Sequence, residues 1–182
     1  NLPLNQNLGY AYIVPFNSRQ KDGSYKKLAQ FQIGYKGFIQ LAQRSGQFLK
    51  IADTPIYEGQ IISNNPLTGY EFDFNIKSDV LVGYVAYFKL LNGYEATLYM
   101  TKEELLAHGK KFSQTFKKGF GLWQTDFESM ARKTVLKLLL QRFAPMSIEM
   151  QRAEMADQSV IKNHETLEVD YIENKTQTIE DV

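Results

Sequence analysis

Twelve consecutive residues, KKFSQTFKKGFG from Lys110 to Gly121, hold four lysines, three phenylalanines, two glycines and no acid. The nearest carboxylates along the chain are Glu104 before this stretch and Asp126 after it. A folded core accepts the rings and rejects the ammonium groups, because an unpaired buried charge is expensive. A solvated loop accepts the lysines and has no use for the rings. A polyanion with stackable faces, a nucleic acid strand, suits both, since its phosphates pair with cations and its bases stack on aromatic side chains. The chemistry in this stretch is therefore binding, with Lys110, Lys111, Lys117 and Lys118 as phosphate contacts. Phe112, Phe116 and Phe120 recur every four residues, a spacing that fits inward packing on a helix as well as stacking on bases. Phe112 and Phe116 are the stacking candidates, and Trp123 reads as a packing anchor.

Bond-making chemistry finds less support. The chain has two histidines, His108 and His164, and no cysteine, so it offers neither a thiolate nucleophile nor a thiolate metal site. His108 sits near an expected helix end without positioned partners, and a general base needs them. No zinc-protease, phosphate-loop or nucleophile-elbow motif occurs. Glu71 and Asp73 share one side of an expected strand, where a solvated polar face explains them. The reading is a protein that is not an enzyme, with no catalytic residue, no metal and no cofactor.

Several elements must hold the binding residues in place. TDFESMARKTVLKLLLQRFAP is apolar on nearly every side and predicts a largely buried helix, Asp126–Arg142, opened by a Thr125/Glu128 capping box. Arg132, Lys133, Lys137 and Arg142 interrupt it. Lys133 and Lys137, four apart, share a face. Unpartnered buried cations being costly, this helix is read as the floor of a groove open to an anion on one side. A second capping box, Thr101/Glu104, starts the helix that leads into the lysine-rich stretch. Upstream, Asp22-Gly23 predicts a hairpin with its tip around 17–24. Lys26 and Lys27 follow that tip. YKGFIQLAQRSG predicts a short amphipathic helix, Lys36–Ser45, with Lys36 and Arg44 on its polar face. Three extended segments come next: one broken at Pro55, GYEFDFNIK with alternating faces, and a hairpin turning at Asn92-Gly93.

The net charge of +1 conceals an asymmetry. Residues 1–150 carry 18 basic and 12 acidic side chains, whereas residues 151–182 carry 3 and 8. The chain divides accordingly into a basic binding and oligomerisation domain, 1–150, and an acidic tail, 151–182, read as a linker and a disordered or partner-docking segment. No apolar run reaches the roughly 20 residues a membrane-spanning helix needs. Together with the lack of cysteine this points to the cytoplasm.

LGYAYIVPF, FQIGYKGFIQLAQRSG and LWQTDFESMARKTVLKLLLQRFAP resemble, in order and spacing, segments of the RecT family of phage and prophage single-strand annealing proteins. The likeness spans about Leu8 to Pro145. It implies helices ahead of the LGYAYIVPF strand. It also implies ATP-independent annealing of complementary DNA strands in a bacterial host cell, assembly into homo-oligomeric rings or filaments, and a phage exonuclease as partner. A host single-strand-binding protein is the other expected partner.

The expected fold is α+β: a curved antiparallel sheet with hairpins, packed by the long helix and shorter ones to form a basic groove. The expected function is single-strand DNA annealing, with phosphates held and base edges left free. The alternative is a non-catalytic scaffolding protein or passive single-strand coat.

Overall fold

A computed structural model of the chain describes residues 5–19, 22–65, 67–157, 160–161 and 169–170. The class is α+β, and all strand pairs among the described residues are antiparallel. Strands β1 (Ala11–Arg19) and β2 (Tyr25–Ile33) form the first hairpin, in register from Ala11↔Ile33 to Arg19↔Tyr25. Asp22 shapes its turn by accepting from the Ser24 amide and hydroxyl. The free edge of β2 takes the short strand β8 (Val160–Ile161), which pairs with β9 (Val169–Asp170).

The central sheet has the order β3-β6-β7, built from β3 (Phe48–Tyr57), β6 (Leu81–Leu90) and β7 (Glu95–Thr101). Asn92-Gly93 turns β6 into β7, as expected. Pro55 does not break β3. It pairs with Tyr84 in mid-strand, in keeping with the confinement of proline within sheets to edge strands such as β3. The chain turns instead at Glu58-Gly59. Strand β4 (Ile61–Asn65) and strand β5 (Gly69–Phe72) make a separate hairpin. There β5 ends at Phe72, because Asp73 caps a turn by accepting from the backbone and side chain of Asn75. The strands thus form three sheets among the described residues, rather than the single sheet expected. Helix α1 (Tyr35–Arg44) intervenes between β2 and β3.

The C-terminal half supplies the helices that fill the core. Helix α2 (Lys102–Phe112) begins at a complete capping box between Thr101 and Glu104. Two single turns follow, α3 (Gln114–Lys117) and α4 (Leu122–Thr125). Helix α5 (Phe127–Phe143) starts one residue later than expected: Asp126, not Thr125, is its N-cap and accepts from the Ser129 amide. Helix α5 packs against the central sheet and against α1, which explains its apolar character on both flanks. Val135, Leu136, Leu139 and Leu140 are fully buried there, each contributing roughly 2 kcal/mol by leaving water. Helix α6 (Ile148–Ala156) crosses the point where the composition turns acidic, and its Met150 and Ala153 join the same core. No helix among the described residues is long and apolar enough to cross a membrane.

Trp123 of α4 lies flat against the backbone of α2 at Gly109. A Cβ placed on Gly109 would stand 2.7 Å from the indole Cδ2. Gly109→Ala is therefore expected to destabilise the fold by about 1–3 kcal/mol, despite alanine's better helix propensity. Thermal unfolding of the variant checks this, and an unchanged or raised midpoint contradicts the contact.

Candidate nucleic-acid interface

The lysine-rich stretch folds as the last turn of α2, the single turn α3 and the loop into α4. Lys110 and Lys111 end α2, Lys117 ends α3, and Lys118 is the C-cap of α3. All four are exposed, and none forms an ion pair with the described residues. The turn after Lys118 depends on Gly121, which has φ 101° as N-cap of α4. A side chain there would be strained and would meet the Thr115 hydroxyl.

The three phenylalanines divide. Phe116 is half-buried, its ring stacked on Trp123 with centroids 5.9 Å apart, so packing occupies it. Phe112 is 49% exposed and Phe120 54%. Phe112 lies 4.6 Å from the His108 ring, and the Lys111 ammonium stands 5.3 Å over its face. Burial, and after it the charges of Lys137 and Lys111, hold His108 below the ordinary imidazole value.

Three of the four cations of α5 do not stand unpartnered as the groove reading supposed. Arg132 donates to Asp53 at 2.7 Å and pairs with Glu128 at 2.8 Å, and its guanidinium lies over the Tyr35 ring. Lys133 is buried and donates to Asp157 Oδ1 at 2.9 Å. Lys137 donates to Asp157 Oδ2 at 3.1 Å but keeps a quarter of its side chain exposed. Arg142, at the end of α5, is exposed beside Phe143. The reason is the price of burying a charge: several kcal/mol per ion unless a counterion is buried with it. Asp53 and Asp157 are those counterions. Burial drives the Asp53 carboxyl above its ordinary value, against the pull of Arg132. Burial also acts to raise Asp157, but Lys133, Lys137 and the Ile33 amide outweigh it and leave that carboxyl below the ordinary value.

A cavity of about 280 Å³ lies between α2 and α5, walled by His108, Phe112 and Trp123, with Lys133, Lys137 and Asp157 on its polar side. A second, of about 220 Å³, lies between the β1–β2 hairpin and the start of α5. The two share Met130 and Lys133. Lys26 and Lys27 are exposed on β2 opposite Ser18 and Asn17, and as strand neighbours they point to opposite faces. Lys36 and Arg44 are exposed on α1, whose buried side is formed by Gly37, Phe38, Leu41 and Ala42. Among the described residues no three His, Asp or Glu side chains stand close enough to hold a metal ion. His164 lies outside the described residues.

Sequence reasoning missed Asp53 and Asp157. Their only signal was indirect: cations in a helix that must be buried require carboxylates from elsewhere in the chain.

Comparison with known proteins places these features in context. The sequence model of the RecT family matches residues 1–177. The uncharacterized protein YqaK of Bacillus subtilis strain 168 is 45% identical over 182 residues, which is 99% of this chain and 57% of YqaK. Protein RecT of Escherichia coli K12 is 35% identical over 163 residues, 83% of this chain and 55% of that protein. The chain thus spans a little over half the length of both relatives.

The Arg132–Asp53 pair generates a prediction with a pH signature. Arg132→Ala leaves the Asp53 carboxylate, whose side chain is 4% exposed, without its guanidinium. The expected loss is about 3 kcal/mol at neutral pH. Because the folded-state pKa of Asp53 is raised, the folded protein takes up the proton first as pH falls. The loss should therefore shrink as the pH is lowered toward the unfolded value of about 4. Asp53→Asn in the same background should recover stability at neutral pH. Denaturant unfolding at several pH values checks both, and a pH-independent loss refutes the assignment.

Proposed function

The chain belongs to the RecT family, and on that premise we propose that it anneals complementary single strands of DNA in recombination. Family membership supports a recombination-related annealing role. The finer reading is that annealing proceeds without ATP, that a strand is held by its phosphates with base edges free, and that oligomers of the protein retain the new duplex. A phage exonuclease and a host single-strand-binding protein in the bacterial cytoplasm are the partners this reading proposes.

The observation that carries the DNA-binding part is the division of the cations. Arg132, Lys133 and Lys137 have carboxylates of their own, whereas Lys110, Lys111, Lys117 and Lys118 crowd one exposed segment without any among the described residues. Beside them Phe112 and Phe120 expose ring surface. Lysines offer point charges suited to phosphates and carry little base specificity. Lys26, Lys27, Lys36 and Arg44 extend the proposed surface as secondary contacts; of the acidic tail proposed over 151–182, the first residues belong to α6 and pack on the body, with Ala153 and Asp157 buried there. Affinity for a long strand then comes from many subunits side by side, since single phosphate contacts are weak.

Two measurements test this. Mixing complementary fluorescent strands with the protein, without ATP, should accelerate pairing. Binding without acceleration supports a passive coat, and no binding removes the reading altogether. Lys117→Ala with Lys118→Ala should weaken single-strand binding equally on oligo(dT) and on mixed sequence. Each lost phosphate contact should lower the log–log salt slope by about 0.7. An unchanged slope takes these lysines out of the interface.

A further inference from the structure

Asp157 belongs to the acidic end of the chain, yet its carboxylate lies inside the basic body. Three donors converge on it: the Lys133 ammonium and the Ile33 amide at 2.9 Å on one oxygen, the Lys137 ammonium at 3.1 Å on the other. Two ammonium groups against one carboxylate leave a formal surplus of one positive charge. A phosphodiester also presents two oxygens sharing one negative charge, and the same three donors suit it. The aromatic-walled cavity beside the carboxylate is lined in part by the half-exposed Phe112, and Lys137 is partly exposed.

We propose that the Lys133–Lys137–Ile33 cluster is a phosphate subsite for single-stranded DNA, which Asp157 fills in the DNA-free protein and yields when a strand binds. The inference rests on the strand-binding reading above and adds to it a site and a gate.

Exchange is easier here than simple opening. Lys133 is buried and cannot be left without an anion, so the incoming phosphate must replace the carboxylate rather than follow its departure. The protein side needs little movement. Asp157 is the C-cap of α6, where the backbone has already left the helix with ψ 122°. Its N–H bonds to Ala153 and Glu154 can stay while the side chain swings out. Met150 and Ala153 keep α6 docked in the core, and Gln141 of α5 donates to Glu154 of α6. The arrangement gives α5 two kinds of cation: Arg132, whose carboxylate partners come from the body of the fold, and the lysine pair, whose partner comes from the acidic end.

The test uses the full-length protein, a labelled oligo(dT) and fluorescence anisotropy over a range of salt concentrations. Asp157→Asn removes the competing charge and keeps the shape. It should bind about tenfold more tightly at moderate salt, with a log–log slope steeper by about 0.7, because the freed subsite now releases a counterion when it takes a phosphate. Adding Lys137→Gln should abolish the gain. Folded Asp157→Asn with unchanged or weaker binding overturns the proposal. If Asp157→Asn does not fold, Lys137→Gln alone decides, since it keeps the Lys133–Asp157 pair. A slope lower by about 0.7 supports the subsite, and an unchanged slope overturns it. Wild-type protein is the control that separates the two readings. If it binds oligo(dT) with a normal salt dependence while the variants behave like it, only the subsite falls. If it does not bind, the strand-binding reading falls, and the subsite with it.

Discussion

An ammonium group taken into a protein interior needs an anion beside it. Helix α5 is drawn inward by Val135, Leu136, Leu139 and Leu140, and Lys133 is carried in with them. An unpaired ammonium would cancel much of what those four side chains gain by leaving water, and pairing limits that cost. Asp157 supplies the pairing from 24 residues downstream. In doing so it fastens the end of α6 to α5 and, through the Ile33 amide, to the end of β2. One carboxylate thereby joins the first hairpin, the central helix and the beginning of the acidic segment.

The same constraint acts once more on the other flank of α5. Arg132 faces β3, where Asp53 sits within a strand of mostly apolar residues and receives two of its donor contacts. A guanidinium fits this place better than an ammonium would, because it spans Asp53 and Glu128 at once and lies over the Tyr35 ring. The helix is thus clamped by charge on both sides of its apolar contacts, and its orientation relative to the central sheet and to α1 follows.

With those cations engaged, the segment from α2 to α4 gathers four lysines that form no ion pair among the described residues. Its shape depends on Trp123, which lies over Gly109 and under Phe116 and so draws two single-turn helices onto the end of α2. The lysines stay outside, where none of them forms an ion pair with the described residues. Packing and charge therefore divide the labour within a few residues: Phe116 and Trp123 hold the segment, while Lys117, Lys118 and the rings of Phe112 and Phe120 face solvent.

Local chemistry was readable without coordinates. Asp22-Gly23 and Asn92-Gly93 made their hairpins, Thr101 and Glu104 made their capping box, and the apolar run after Asp126 made a buried helix, because each depends on neighbours within a few positions. The concentration of lysine and phenylalanine between Lys110 and Gly121 was equally plain, since composition needs no partner to be seen. Tertiary structure decided the pairings across distance. It carried Pro55 through an edge strand, split the described strands into three sheets, turned Phe116 inward, and seated Asp53 and Asp157 on cations of α5. A carboxylate 24 or 79 residues from its cation leaves no periodic trace in the chain; only folding, by making an unpaired buried charge intolerable, selects which one it will be.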